Sequence, residues 1–572
     1  MLTRLLLISP AALTLAACAD YASAPTPTPA APQASVKGAV SAADPRAQAA
    51  GEAILAKGGS ATDAAIAVML ALTVVEPQSS GIGGGGFMVR SDGKGVISYD
   101  GRETAPKSAT PTRFLDAEGE RLPRDQRVTS GLSVGVPGNM ALAAKAHAAH
   151  GKLPWADLFE PAITLAEDGF VMNQRLNGSI SSRKERAGKT QAARDVFFGD
   201  DGEPKPVGTR IINPAFAATL RTLASEGASA MYTGSLVPDM ASYIAAETPQ
   251  DGKVTVADFN AYSAKNREPV CGSYRTYKVC GMGPPSSGGV AVIQMLGQLE
   301  RFDLAALGPD NPEFWHLFLE SQRVAYADRA LYMGDSDFVS VPVAGMIDRD
   351  YIASRSALID PDKAIKDLKA GTPAGAPLAR AVGDRPEENG TTHFSVVDKD
   401  GNAVSYTSTI EGAFGSGLFM GGFYLNNELT DFSLTPERDS KPVANRVEGG
   451  KRPRSSMAPT IVFDEDGEIV LVIGAAGGPT IPVQVTRSII GVLDFDMTAS
   501  EALGLPLIMS FGTRVIMEKD SALEGMEDAF KAKGHDNIGS FEPSLKTNAL
   551  RRTPAGWEVA RDPRIEPKLA YE

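Results

Sequence analysis

Cysteine, histidine and tryptophan are scarce, with three, five and three copies in 572 residues. The histidines are scattered and no Cys/His cluster has zinc spacing, so no metal is implied, and no organic cofactor either. Positive charge is in deficit: the net charge of −13 argues against nucleic acid or an anionic membrane face as the main partner. Long apolar runs are missing too. Leu5–Leu15 and Ala64–Leu72 fall short of the ~20 residues that span a bilayer. What remains is a soluble globular composition, 43% hydrophobic and 22% charged, in a chain long enough for one large domain or two interlocked halves.

The first residues form a targeting segment. Arg4 supplies the positive start, Leu5–Leu15 the short apolar stretch, and Leu15-Ala16-Ala17-Cys18 follows. A cysteine directly after small residues resembles a bacterial lipobox, which makes 1–17 a lipoprotein signal peptide and Cys18 the lipidated N-terminus. Ala19 after it matches the pattern sorted to the outer membrane, so the expected location is the bacterial envelope, on the periplasmic side. Residues 18–43 read as an extended tether, Pro/Ala-rich from Ser23 to Ser35. Cys271 and Cys280 then remain as an even pair in an oxidising space. They flank an alternating stretch, and a two-residue turn at Arg275-Thr276 would set them opposite each other. Cα atoms at such a pair lie about 4.5–5.5 Å apart, which a disulfide bridges.

Helical patterns cover Pro45–Lys57, Thr62–Val75, Asn139–Leu165, Pro214–Glu226, Val290–Arg301 and Pro312–Tyr332, and the second is apolar nearly all round, hence buried. Strands are expected at Gly86–Ser91 and Val96–Tyr99. Ala370–Gly390 reads as a loop without packing of its own. After it come two hairpins, Thr392–Val397 with Ala403–Ile410, and Thr460–Phe463 with Ile469–Ile473. Helix layers over antiparallel sheets, an α/β (α+β) chain, is the expected class.

Two short motifs mislead. Gly81–Gly86 fits GxGxxG, but it follows a helix and opens a strand, the reverse of a dinucleotide site. Gly131-Leu132-Ser133-Val134-Gly135 fits GxSxG, but Val128–Val136 reads as continuous strand where a nucleophile elbow needs a sharp turn, so Ser133 is structural.

The informative stretch is Asn389-Gly390-Thr391-Thr392-His393. A threonine hydroxyl is a poor nucleophile without a neighbouring base, and an N-terminal threonine carries one in its own α-amino group. Thr391 gains that amine only if the chain cuts itself at Gly390–Thr391. Read alone, the stretch is first of all the edge of a β-hairpin, because threonine is a good strand former. His393 shares a strand face with Thr391, and a satisfied core histidine is its simplest reading.

With Lys451–Thr460 (KRPRSSMAPT), Gly81–Phe87 and Pro284–Gly289 (PPSSGG) in the same order, the chain resembles the γ-glutamyltranspeptidase (γ-glutamyltransferase) family of N-terminal-nucleophile hydrolases from about Asp44 to Arg564. The resemblance implies a four-layer αββα sandwich and autocleavage into a large subunit ending at Gly390 (44–390 after the tether) and a small one, 391–572. The two would form a heterodimer. It implies Thr391 as nucleophile, Thr409 as the hydroxyl that steadies it, and the backbone N–H groups of Gly477 and Gly478 as oxyanion donors. Arg102 matches a clamp for the donor's α-carboxylate, assisted by Ser455 and Ser456, and Asp431 with Glu428 matches the partners of its α-ammonium. The implied substrates are glutathione and other γ-glutamyl amides, with water, amino acids or peptides as acceptors.

Glu411 departs from the family, where asparagine is common; a further acid either strengthens binding of a cationic head group or lets two of the acids share a proton. Phe432–Arg454 is short and lacks Tyr and Trp, so a tyrosine-bearing lid is not expected. A glutaryl (cephalosporin-type) acylase is the nearest rival, and a non-catalytic envelope binding lipoprotein is a rival from another class.

Overall fold

The computed structural model describes residues 34–35, 38–384, 390–542 and 545–571. The signal segment, Cys18 and Asn389 lie outside them.

Two antiparallel sheets form the centre. The six-stranded one runs, edge to edge, Ala39–Ala42, Thr392–Val397, Ala403–Thr409, Gly85–Ser91, Val96–Gly101 and Lys265–Arg267. The seven-stranded one runs Ala34–Ser35, Gly556–Arg561, Lys546–Thr553, Ile469–Ala476, Thr460–Phe463, Tyr277–Gly281 and Val270–Tyr274. Helices Pro45–Ala56 and Ala61–Val75 stack on each other, and the second covers the outer face of the first sheet. Gly288–Leu299 and Ile481–Leu493 cover the other sheet, with Pro312–Tyr332 packed on the first of these. This is the four-layer αββα sandwich.

The Ala61–Val75 helix is buried along its whole length, as its all-round apolar sequence requires. A capping box of Ser60 and Asp63 starts it. Asp398, in the hairpin turn after the Thr392–Val397 strand, accepts from Ala61 N at 3.0 Å and ties helix to sheet. Between the sheets the contact near the site is polar: Ser395 Oγ donates to Val472 O (3.1 Å) and Ser405 Oγ to Ile473 O (2.9 Å). These bonds fix the register of one sheet on the other.

Four expectations need correcting. The tether is shorter than 18–43, because Ala39–Ala42 is an edge strand of the six-stranded sheet; its small residues carry too little hydrophobic pattern to announce it. Val128–Val136 is not a strand. Ser130 Oγ accepts from Leu132 N, turning Gly131–Ser133 into a 3₁₀ turn, while Ser133 Oγ donates to Val128 O and Ser130 O. Asn139–Leu165 divides into Asn139–His150, a 3₁₀ turn at Trp155–Leu158, and Glu160–Glu167. Finally, 370–384 is a loop, but an anchored one: Gly371 N bonds Asp328, Ala381 bridges to Val443, and Asp384 pairs with Arg438 at 2.6 Å. Cys271 and Cys280 face each other across the expected hairpin, Cα atoms 4.1 Å apart, and are bridged.

Candidate active site

Thr391 sits at the threshold of the Thr392–Val397 strand, with Thr409 at the end of the paired Ala403–Thr409 strand. In the continuous chain the Thr391 hydroxyl donates to the carbonyl oxygen of Gly390 and lies 3.2 Å from Thr409 Oγ1. Thr409 Oγ1 donates to the same Gly390 oxygen at 2.8 Å and accepts from Glu411 N at 2.8 Å. One peptide carbonyl thus receives two hydroxyls, which polarises it toward attack.

The next strand pair brings in the opposite wall. The Ile469–Ala476 strand ends in Gly477-Gly478, then a 3₁₀ turn and the helix Ile481–Leu493. Both glycines are left-handed in φ, at 130° and 57°, where a Cβ is strained. A Cβ on Gly477 would also stand 2.6 Å from Thr480 Oγ1. The glycine pair stands at a helix start, the kind of backbone that suits an anion.

A narrow cleft gathers Arg102, Gly390, Thr391, Thr409, Glu411, Glu428, Asp431, Ser455, Ser456 and Gly478. Every catalytic and substrate-binding residue proposed from the sequence lines it except Gly477, which adjoins Gly478. Ser455 Oγ accepts from Met457 N, and Ser456 Oγ accepts from Arg329 Nη2 at 2.6 Å. Pro284–Gly289 finds its purpose here: Ser287 donates N–H and Oγ–H to Ser455 O (2.9 and 2.7 Å), clamping Lys451–Thr460 in place.

Arg102 follows the Val96–Gly101 strand and is fully buried. Its guanidinium pairs with both Glu428 and Asp431, and also bonds Pro453 O (3.1 Å) and Arg454 O (3.2 Å). The carried-over roles set Arg102 and Asp431 at opposite ends of a substrate zwitterion; in the structure they hold each other. Burial opposes the charge on Arg102, but the Glu428, Asp431 and Glu103 carboxyls outweigh it and raise its pKa. Glu428 is pushed well upward, burial being the first cause and Arg102 only a partial counterweight. Glu411 is buried in left-handed backbone (φ 71°), an uncommon conformation for a non-glycine residue.

His393 is buried beneath the site with Nδ1 on Thr407 Oγ1 (2.9 Å) and Nε2 on Ser395 Oγ (3.0 Å). Burial pulls its pKa down to about 3. It is a satisfied core histidine.

Sequence reasoning passed over several supports. Asn426 accepts from Glu428 N and Gly135 N and donates to Gly83 O and Gly135 O, so one amide joins the Gly81–Gly86 run to the Glu428 wall of the cleft. Asn445 donates to Asp431 O and accepts from Arg454 N. The glycine run itself serves close approach: a Cβ on Gly84 would meet Thr409 O at 2.0 Å.

Two stacked antiparallel sheets between helix layers, with a threonine at the head of an inner strand, are the architecture of the N-terminal-nucleophile hydrolases. The model of the family described as Gamma-glutamyltranspeptidase matches residues 47–571. The chain is 39% identical to a glutathione hydrolase proenzyme of Bacillus subtilis (strain 168) over 511 residues, 87% of this chain and 85% of the relative. It is 36% identical to an acylase ACY 1 proenzyme of Pseudomonas sp. (strain SE83), covering 92% and 91%. The crystal structure of cephalosporin acylase from Bacillus halodurans superposes with a TM-score of 0.83 at 26% identity, covering 96% and 98%. The chain belongs to the γ-glutamyltranspeptidase family, and it is an enzyme with transferase and hydrolase activity.

Proposed function

We propose that this enzyme cuts itself at Gly390–Thr391 and then uses Thr391 to move γ-glutamyl groups from glutathione and related amides to water, amino acids or peptides. The observation that carries the reading is the Gly390 carbonyl, held by the Thr391 and Thr409 hydroxyls in a cleft whose far wall is the Arg102–Glu428–Asp431 cluster.

In the first step Thr391 Oγ1 attacks the Gly390 carbonyl carbon, the peptide nitrogen leaves as the α-amine of Thr391, and water hydrolyses the ester. The new amine then serves as base for the same hydroxyl. The donor's γ-carbonyl takes the place the Gly390 carbonyl held, its oxyanion meeting the N–H groups of Gly477 and Gly478. Arg102, Ser455 and Ser456 take the α-carboxylate, and Asp431, Glu428 and Glu411 surround the α-ammonium. For this to happen Asp431 turns part of its bonding from Arg102 to the ammonium, so substrate substitutes for an internal ion pair. The processed subunits remain together as a heterodimer.

The deciding experiment is a denaturing gel with N-terminal sequencing of the smaller band. The expected fragment begins Thr-Thr-His-Phe and is missing in Thr391→Ala; an uncut wild-type chain, or a cut that survives the substitution, rules the mechanism out.

The acylase relative and the cephalosporin acylase structure support a second reading, hydrolysis of a glutaryl-type side chain. Three acids lining the head-group end of the cleft favour an amine-bearing substrate instead. Comparing γ-glutamyl with glutaryl anilides separates the two, with the γ-glutamyl compound expected to react faster.

Among the described residues no helix is long and apolar enough to cross a membrane. Export behind the 1–17 signal and a lipid on Cys18 would hold the enzyme at the outer membrane, facing the periplasm. The Cys271–Cys280 bridge fits that oxidising compartment.

A further inference from the structure

Glu103 has no assigned part in the reaction, yet it is placed where it must matter. It is fully buried directly behind Arg102, its Oε2 4.0 Å from Arg102 Nη1. Neither of its oxygens meets a well-aligned N–H or O–H of another residue, only its own backbone N–H lying close enough to weigh on its charge, and Oε2 of Glu428 likewise has no partner. Both carboxyls lie against the same Arg102 Nη1, Glu103 Oε2 at 4.0 Å and Glu428 Oε1 in direct contact, which brings the two acids together on one side of the guanidinium. Ionised carboxylates only accept hydrogen bonds, so such a pair holds together only when one carries a proton.

Escape to solvent is closed off. A Cβ on Gly85 would lie 2.5 Å from Glu103 Oε2, and one on Gly135 would lie 2.8 Å from Glu103 Cβ, so backbone packs tightly around the side chain. The other groups facing the pair are Asp431 and Glu411 on the cleft side, and the Tyr232, Tyr262 and Tyr406 phenols behind. Arg102 is the cation they share, and it already pairs with Glu428 and Asp431. Four acids around one guanidinium would bury a large net negative charge, which proteins avoid by keeping protons on. Burial accordingly pushes Glu103 up to about 7.

Resting on the γ-glutamyl reading above, we propose that Glu103 is a positioning residue for the donor's head group: it holds Glu428 through one shared proton, and the arriving α-ammonium displaces that proton to the bulk buffer. The ammonium restores the charge balance the proton had supplied and donates to Glu428 in its place. A glutaryl group, lacking the amine, cannot make this exchange, so the device discriminates by charge. Affinity for an amine-bearing head group then rises with pH between about 6 and 8, by up to tenfold per pH unit.

The test uses the processed enzyme. Binding of L-glutamate is followed calorimetrically near pH 7 in phosphate and in Tris, buffers of different ionisation heat. KM for a γ-glutamyl anilide is measured from pH 6 to 8 in wild type and Glu103→Gln. Wild type is expected to give a buffer-dependent heat equivalent to as much as one proton released, and a KM that falls as pH rises. In Glu103→Gln the amide donates permanently to Glu428, so the buffer dependence disappears and KM is flat across that range. Buffer-independent heat in wild type, or a KM shift in the variant by the same factor at every pH, overturns the proposal. If the variant does not fold, the wild-type calorimetry decides alone. An enzyme that binds glutamate with proton release yet cleaves no γ-glutamyl anilide upholds the exchange and sinks the substrate reading.

Discussion

Thr409 Oγ1 donates to the carbonyl oxygen of Gly390 at 2.8 Å while receiving the N–H of Glu411 at the same distance. The backbone bond fixes the hydroxyl's orientation, so its proton is aimed at the carbonyl rather than free to rotate. Removing an aimed donor of this kind costs about 3–4 kcal/mol at a developing oxyanion. Thr409→Ala is therefore expected to slow self-cleavage by about 10²–10³-fold. A gel time course of freshly synthesised chain measures it; processing at the wild-type rate would show that Thr409 is only structural.

Gly477→Ala tests the opposite wall. Its φ of 130° and the 2.6 Å approach to Thr480 Oγ1 mean that a methyl group must tilt the following N–H groups. The expected result is a folded protein whose kcat falls by about 10²-fold with little change in KM, since the oxyanion forms only in the transition state. Equal losses in binding and turnover would point to a distorted cleft instead.

Acid should weaken the fold through His393. Its folded pKa, about 3, lies below the ordinary histidine value, so the unfolded chain binds the extra proton first. Stability is therefore complete above about pH 6.5 and declines as pH falls toward 3, by about 1.4 kcal/mol per unit from this residue. Chemical denaturation at pH 7.5 and 5.0 measures the decline, and His393→Gln should make it shallower by about 2 kcal/mol over that interval. A slope unchanged by the substitution would refute the assignment.

Cys18→Ser is expected to move the enzyme from the membrane pellet to the soluble periplasmic fraction with its activity intact. Soluble wild-type enzyme would remove the lipid anchor from the account.

Local pattern carried much of the fold. The hairpin Thr392–Val397 with Ala403–Thr409 was legible because Asp398–Asn402 is rich in turn formers and Gly401 adopts φ 83°. Pro312–Tyr332 was legible from Asn311 and Pro312 at its start. Val128–Val136 was misread because two serines fold their hydroxyls back onto the chain, a side-chain event that hydrophobic pattern does not register. The site divides the same way. Thr391 could be singled out by its chemistry, whereas Arg102 and Glu428 stand 326 residues apart and meet only in the folded chain. Only resemblance linked them. Glu103 carries no motif of its own, and its signal is indirect: the absence of a side chain at Gly85 and Gly135 leaves room for it.

The Thr392–Val397 strand lies inside its sheet, hydrogen-bonded on one side to Ala39–Ala42 and on the other to Ala403–Thr409. A break at Gly390 therefore severs the polymer without creating a separable surface: in both sheets the strands from after it are flanked on each side by strands from before it. The two main cores each draw residues from both pieces. Swapping of small pieces between two differently labelled preparations should be as slow as wholesale denaturation, and pieces once parted should not find each other again on simple mixing.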